Sequence, residues 1–95
     1  MTNNSKILLV DDEPGMLASS KDLLETAEYE VVIAQGGKAA IEKLEQDEFD
    51  LVLLDMNMPE VNGHMVMEFI NDKLIKVAVV VLSGDFDFNS VARAF

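Results

Sequence analysis

Ile7-Leu8-Leu9-Val10-Asp11-Asp12 and its counterpart Leu51-Val52-Leu53-Leu54-Asp55 are the most informative segments of this chain. In both, four aliphatic residues without polar alternation run directly into aspartate. Such runs are typical of strands buried on both faces, as in a parallel sheet covered by helices. Ligands of these sheets bind beyond the carboxyl ends of the strands, where the strand order reverses. If the two strands are neighbours, about 5 Å apart, their carboxylates converge and repel one another, which predicts a divalent cation at this edge.

Strand and helix patterns alternate along the rest of the chain, which indicates an α/β fold with right-handed crossovers. The predicted strands cover Lys6–Asp11, Glu30–Ala34, Asp50–Asp55 and Val77–Leu82, and the predicted helices run from about Glu13 to Ala27, onward from Gly36-Gly37, and over Gly63–Asp72. A further helix is expected near Asn89, after a loop at 83–88. The apolar positions at helical spacing are Met16, Leu17, Leu23, Leu24 and Ala27, then Ala40, Ile41 and Leu44, then Val66, Phe69 and Ile70.

The composition is that of one small acidic domain. Apolar residues make up 49% of the 95 residues, which excludes a disordered chain. The net charge of −11 disfavours binding to nucleic acid or to an anionic membrane surface. Cysteine is absent, and the longest apolar run, Val77–Leu82, is far shorter than the roughly 20 residues of a membrane span. We expect a cytoplasmic protein, with residues 1–5 as a polar lead-in and residues 6–95 as the domain.

Several motifs follow the strands in a fixed order. They are Asp11-Asp12 after the first strand, Asp55 with Met58-Pro59 and Gly63 after the third, and Val81-Leu82-Ser83-Gly84 at the end of the fourth. In order and spacing, from Lys6 to Phe95, they resemble the receiver domain of two-component response regulators. The resemblance implies a doubly wound parallel sheet of the flavodoxin-like receiver type, with strand order 2-1-3-4 and the fifth βα unit missing.

The resemblance implies that Asp55 accepts a phosphoryl group from a phosphohistidine on a sensor histidine kinase or phosphotransfer protein. A carboxylate can hold the group as an acyl phosphate. Mg²⁺, or Mn²⁺, prefers oxygen ligands, which Asp12, Asp55 and the backbone carbonyl of Asn57 would supply, with Asp11 acting mostly through water. The domain would then be a signalling switch, and an enzyme only in assisting its own phosphorylation and dephosphorylation.

The resemblance also assigns roles around the phosphoryl group. The Ser83 hydroxyl would donate a hydrogen bond to it and move toward it as the first step of the switch. Gly84 leaves room for the group, and the backbone of Met56 and of Gly84 would lie beside it. Asn57 and Asp85, which flank the site, would set how fast water removes the phosphoryl group.

The chain departs from the family pattern at its C-terminal end. The fifth strand, the lysine at that strand's end and the fifth helix are not found after Val77–Leu82. We therefore expect a truncated receiver domain, with a C-terminal output domain in the parent protein. We also expect self-association through the fourth strand, because an apolar edge strand invites pairing.

Three other functions share features with this pattern. A haloacid-dehalogenase-type enzyme needs aspartate and threonine where this chain has Asn57 and Pro59. A flavodoxin-like flavin carrier needs a phosphate loop rich in Ser, Thr and Gly, whereas Asp11-Asp12-Glu13 would repel a phosphate. A receiver-fold scaffold that binds partners or dimerises without phosphorylation stays open.

Two simpler roles apply to single residues of these motifs. Asp11 and Asp12 could cap the first helix, since aspartate is common at helix N-termini. His64 has no acidic or cysteine partner at ligand spacing, and we expect it to be solvated at the start of the third helix.

Overall fold

The computed structural model describes residues 5–56, 58 and 61–82. Its elements, in chain order, are β1 (Lys6–Asp11), α1 (Pro14–Thr26), β2 (Glu30–Gln35), α2 (Gly37–Gln46), β3 (Leu51–Asp55), α3 (Gly63–Asp72) and β4 (Ala78–Leu82). The predicted strands and helices are confirmed, with only small differences at their ends. The loop expected at 83–88 and the helix expected near Asn89 lie outside the described residues.

The four described strands form one parallel sheet in the order β2-β1-β3-β4, as predicted. Val10 of β1 lies opposite Leu54 of β3. The residues that follow them, Asp11 and Asp55, therefore leave the sheet at the same edge. The chain passes from β1 to β2 on one side and returns to β3 on the other, so this edge is the point where the strand order reverses.

Alternate residues of the central strands point into two separate hydrophobic clusters, one on each face of the sheet. Leu8 and Val10 of β1 belong to the cluster that includes Leu44 of α2 and Val66 of α3. Ile7 and Leu9 belong to the cluster that includes Leu17 and Leu24 of α1. Both faces of β1 and β3 are thus covered, which explains their uninterrupted aliphatic sequences.

Three of the five apolar residues that lie at helical spacing in α1 are exposed. Met16 and Leu23 are 47% and 59% exposed, and Ala27 is exposed beyond the helix end. The buried residues are instead Leu17, Ser20 and Leu24, which recur every three or four residues and so share one helical face. Because α1 contacts the sheet along this narrow face, Met16 and Leu23 lie on its flanks, and the small Ser20 allows close contact. The stripes predicted for α2 and α3 are confirmed at Ala40, Leu44, Val66 and Ile70, with Ile41 and Phe69 only partly buried.

Within the described part of the sheet, β4 is an edge strand that pairs only with β3. Ala78 is exposed, and Val81 is 45% exposed despite its aliphatic side chain. An apolar edge of this kind was expected from the sequence. Among the described helices, none has the length and apolar character that crossing a bilayer requires.

Candidate metal site at the carboxyl edge of the sheet

The carboxylates of Asp11, Asp12 and Asp55 meet at the carboxyl edge of β1 and β3. One oxygen from each lies within 4.8 Å of the other two. Asp11 ends β1, Asp12 begins the turn into α1, and Asp55 ends β3, so the adjacency of the two parallel strands creates the cluster. The structure thus brings together all three aspartates that the sequence singled out.

The turn after β1 fixes the orientation of Asp11. Its Oδ1 atom accepts a hydrogen bond of 3.1 Å from the backbone N–H of Glu13. Glu13 is the cap residue of α1, its side chain makes no capping bond, and Pro14 occupies the first turn. The N-cap residue of α1 is therefore Glu13 and neither Asp11 nor Asp12, although the Asp11 carboxylate accepts a hydrogen bond at the start of the helix.

The pKa of the Asp11 carboxyl is raised above its ordinary value, first by burial and then by the neighbouring charge of Asp55, against the opposing effect of the Glu13 N–H bond. Two unit charges at this separation repel by about 3 kcal/mol at an effective dielectric of ~20, before screening by water and salt. The cluster therefore disfavours its own charged state unless a cation is bound.

The donor set fits a hard divalent cation. Mg²⁺ prefers oxygen ligands and is usually held by one or two carboxylates together with water and phosphate oxygens. Three carboxylates that each place an oxygen within 4.8 Å of the other two supply such donors, either directly or through water. Carboxylates suit Mg²⁺ and Mn²⁺ better than softer metals.

The start of α3 packs tightly against the end of β3. A Cβ atom on Gly63 would lie 2.8 Å from the Met56 Cα and 3.1 Å from the Asp55 carbonyl oxygen, and would also overlap the Met56 sulfur. Only glycine permits this approach. Met58, from the same sequence motif, is buried in the hydrophobic cluster below α2 and α3. Gly63 therefore allows the start of α3 to lie against the end of β3, and Met58 contributes to the core.

Two neighbouring residues of the site were missed from the sequence. The Gln35 side-chain amide donates to the Asp12 carbonyl oxygen at 3.4 Å, and the Gly36 N–H donates to the Asp11 carbonyl oxygen at 2.9 Å. Gly36 has φ +94°, a conformation that favours glycine. The glycine pair after β2 was the only available signal, and it indicated a helix start but not a contact with the aspartates.

The remaining predicted site residues divide into two groups. Met56 is described and partly buried beside Asp55, whereas Asn57, Ser83, Gly84 and Asp85 lie outside the described residues. The roles assigned to those four stay predictions. His64 is exposed at the start of α3, as expected.

Comparison with known proteins gives one consistent family. The family model of the response regulator receiver domain matches residues 7–95. The transcriptional regulatory protein CrdR of Helicobacter pylori is 37% identical over 91 residues, which cover 95% of this chain and 43% of CrdR. The chain spans less than half the length of the curated relatives it matches.

Solved structures agree with this result. The response regulator TrrA of Thermotoga maritima, crystallised in complex with Mg²⁺-BeF, is 29% identical with a TM-score of 0.77, over 95% of this chain and 96% of TrrA. A CheY-like receiver domain from Methanospirillum hungatei has a TM-score of 0.85 at 21% identity, over 94% of this chain and 89% of that one, and shows the fold alone. The chain therefore belongs to the response regulator receiver domain family.

Proposed function

We propose that this chain is the phosphoacceptor switch of a two-component system, with Asp55 as the residue that takes the phosphoryl group. The observation that carries this proposal is the convergence of Asp11, Asp12 and Asp55 where the strand order reverses. Receiver domains bind Mg²⁺ at an acidic site and are signalling domains, not classical enzymes. The phosphoryl donor is a phosphohistidine of a sensor histidine kinase or phosphotransfer protein.

The transfer is a displacement at phosphorus. A carboxylate oxygen of Asp55 attacks, the bond between phosphorus and the donor imidazole nitrogen breaks, and the imidazole leaves with a proton. The product is an acyl phosphate on Asp55, which water later hydrolyses. Asp55 suits this role because β3 ends at it and so places it at the carboxyl end of the sheet, beside Asp11 and Asp12.

The metal ligands we propose are the carboxylates of Asp12 and Asp55 and the backbone carbonyl of Asn57, with Asp11 acting through water. Bound Mg²⁺, or Mn²⁺, would supply positive charge against the phosphoryl oxygens. The carboxylate cluster supports the assignment, because its charges repel in the absence of a cation.

Other proposed roles concern the surroundings of the phosphoryl group. Ser83 donates its hydroxyl hydrogen bond to the group and moves in the switch, and backbone atoms of Met56 and Gly84 lie beside it. Asn57 and Asp85 set the rate of hydrolysis. Residues 6–95 form the receiver unit, joined in the parent protein to an output domain.

A scaffold that works without phosphorylation is the second candidate, and the exposed side of β4 favours it. Ala78 and Val81 are exposed on the described edge strand, and such edges pair with other chains. If the chain self-associates through β4, light scattering should show a dimer. Val81→Lys should weaken this dimer. A monomer at every concentration would exclude self-association through β4. The acidic surface fits protein partners in the cytoplasm better than direct nucleic-acid or membrane contact.

Intact mass tests the proposed function. The chain is incubated with Mg²⁺ and a small acyl-phosphate donor, beside Asp55→Asn and a sample with the metal chelated. We expect one phosphoryl mass gain in the wild type with Mg²⁺, and none in the other two samples. A gain only in a chain extended through the family's fifth strand and helix would mean that the site needs those elements, and no gain in either well-folded chain would support the scaffold instead.

A further inference from the structure

The glycine pair at the start of α2 contacts both halves of the acidic site. On one side, the Gly36 N–H donates to the Asp11 carbonyl oxygen at 2.9 Å. On the other, the buried Gly37 lies against Val61, in the segment between β3 and α3. The junction of β2 and α2 thus lies between the end of β1 and the backbone that leads into α3, and contacts both.

The contact between Gly37 and Val61 is too close for any side chain at position 37. A Cβ atom there would lie 2.8 Å from Val61 Cγ1 and 2.9 Å from the Val61 carbonyl carbon, and would overlap the carbonyl oxygen. Two of these three atoms belong to the backbone, so a change of rotamer cannot relieve the overlap. A larger residue must push the Val61 backbone away.

A short chain of contacts leads from Val61 to Asp55. Asn62 follows Val61, and its Oδ1 atom caps α3 by accepting the Met65 N–H at 3.1 Å. Gly63 comes next and packs on the Met56 Cα and the Asp55 carbonyl oxygen. A shift of Val61 would therefore be passed through Asn62 and Gly63 to the backbone that carries the Asp55 carboxylate.

On the basis of the proposed function, we infer that Gly37 is a positioning residue for the acidic site. Through Val61 and Gly63 it sets where the Asp55 backbone lies relative to Asp11 and Asp12. Gly37 touches neither the metal nor the phosphoryl group. Its effect on Mg²⁺ affinity comes only from the distance it maintains between the ends of β1 and β3.

The test compares Gly37→Ala with Gly15→Ala. Both variants add one methyl group near the start of a helix, but a Cβ atom on Gly15 meets nothing within 4 Å. Each is titrated with Mg²⁺ while backbone amide signals are followed by NMR, at temperatures where circular dichroism shows a folded chain. We expect Gly37→Ala to weaken Mg²⁺ binding about 10-fold, as is typical when a residue supporting metal ligands is lost, and Gly15→Ala to leave it unchanged.

The metal-free spectra give a second readout. Gly37→Ala should shift the amide signals of Asp55 and Met56 as well as that of Val61. If the shifts stop at Val61 and Mg²⁺ affinity is unchanged, Gly37 is only a packing residue and the inference is wrong. Should Gly37→Ala fail to fold, Val61→Ala, which loosens the same contact without overlap, must weaken Mg²⁺ binding in the same direction, and unchanged binding would overturn the inference.

The two proposals can fail separately. If the wild type shows no response to Mg²⁺, the proposed function is wrong. The metal-free shifts at Asp55 still decide whether Gly37 positions that residue.

Discussion

Oxygen atoms of the Asp11 and Asp55 carboxylates lie within 4.8 Å of each other, at the ends of neighbouring parallel strands. Nothing in local sequence connects the two residues, and only the pairing of β1 with β3 brings them together. Their repulsion is a cost of folding that a bound cation would remove. The site is therefore built at the expense of the stability of the metal-free chain.

Asp11→Asn should stabilise the metal-free protein. Asparagine keeps the Oδ1 acceptor for the Glu13 N–H but removes the charge beside Asp55. After screening, we expect the free energy of unfolding at pH 7 to rise by roughly 1 kcal/mol. Urea denaturation in the presence of a metal chelator measures this change in the free energy of unfolding. A loss of stability in Asp11→Asn would mean that the carboxylates do not repel as described.

The same variant has a defined pH dependence. The folded state raises the pKa of Asp11 above its ordinary value of 3.8, so the charged form costs stability at pH values above the folded pKa. That cost disappears once the pH falls below 3.8, where both states are protonated. The stability advantage of Asp11→Asn should therefore shrink as the pH is lowered from 7 through this range.

Asp12→Ala should weaken Mg²⁺ binding by at least about 10-fold, because it removes a charged oxygen ligand. Glu13→Ala is the matched control, since Glu13 is the next residue, is exposed and lies outside the carboxylate cluster. Calorimetric or NMR titration with Mg²⁺ compares the two. Equal affinities in Asp12→Ala and the wild type would rule out Asp12 as a ligand.

Gly63→Ala should destabilise the chain by about 1–3 kcal/mol, the usual cost of forcing an extra carbon into a packed site. The added methyl would press on the Met56 Cα and the Asp55 carbonyl oxygen. Gly15→Ala, where the methyl meets nothing within 4 Å, should be neutral or slightly stabilising. Urea denaturation of both variants checks the difference, and equal midpoints would contradict the packing described for α3.

The ion pair of Lys6 with Asp47 should stabilise, over a wide pH range, the end of the sheet where β1 begins, opposite the acidic site. The Lys6 ammonium donates to the Asp47 carboxylate and lies 5.3 Å from the centre of the Phe49 ring. The bond to Asp47 raises the pKa of Lys6, and the bond from Lys6 lowers the pKa of Asp47.

The signs of these shifts set the pH window. The Asp47 contribution is present above its ordinary pKa of 3.8 and is lost as the pH falls through the lowered value. The Lys6 contribution is present below 10.5 and is lost as the pH rises through the raised value. The stability difference between the wild type and Asp47→Asn should be constant between these limits, vanish outside them and shrink in high salt. If the stability difference persists in strong acid, it arises from packing and not from the ion pair.

The sequence was sufficient for the sheet because its strands carry a pattern that only one environment explains. Ile7–Val10 and Leu51–Leu54 have no polar position, and both faces of these strands are buried. Their aspartates could be placed together because the carboxyl ends of parallel strands share an edge. Two short aliphatic runs that end in aspartate were therefore enough to predict the cluster of carboxylates.

Contacts between distant loops could not be read in the same way. The contacts of Gly36 with Asp11 and of Gly37 with Val61 depend on how the start of α2 is positioned against the other loops. Met16 and Leu23 lie at helical spacing but are exposed, and hydrophobicity alone does not show how narrow the contact face of α1 is. Such features depend on packing geometry and not on local pattern.

Locating the phosphoryl group on the chain decides whether Asp55 is the phosphoacceptor. The chain is phosphorylated with a small acyl phosphate and Mg²⁺, digested with pepsin at low pH, and the peptides are sequenced by mass spectrometry. We predict a single phosphoryl group on Asp55, and none on Asp11 or Asp12. A group on either of those residues, or spread over the other acidic residues of the surface, would contradict the assignment of Asp55 as the phosphoacceptor.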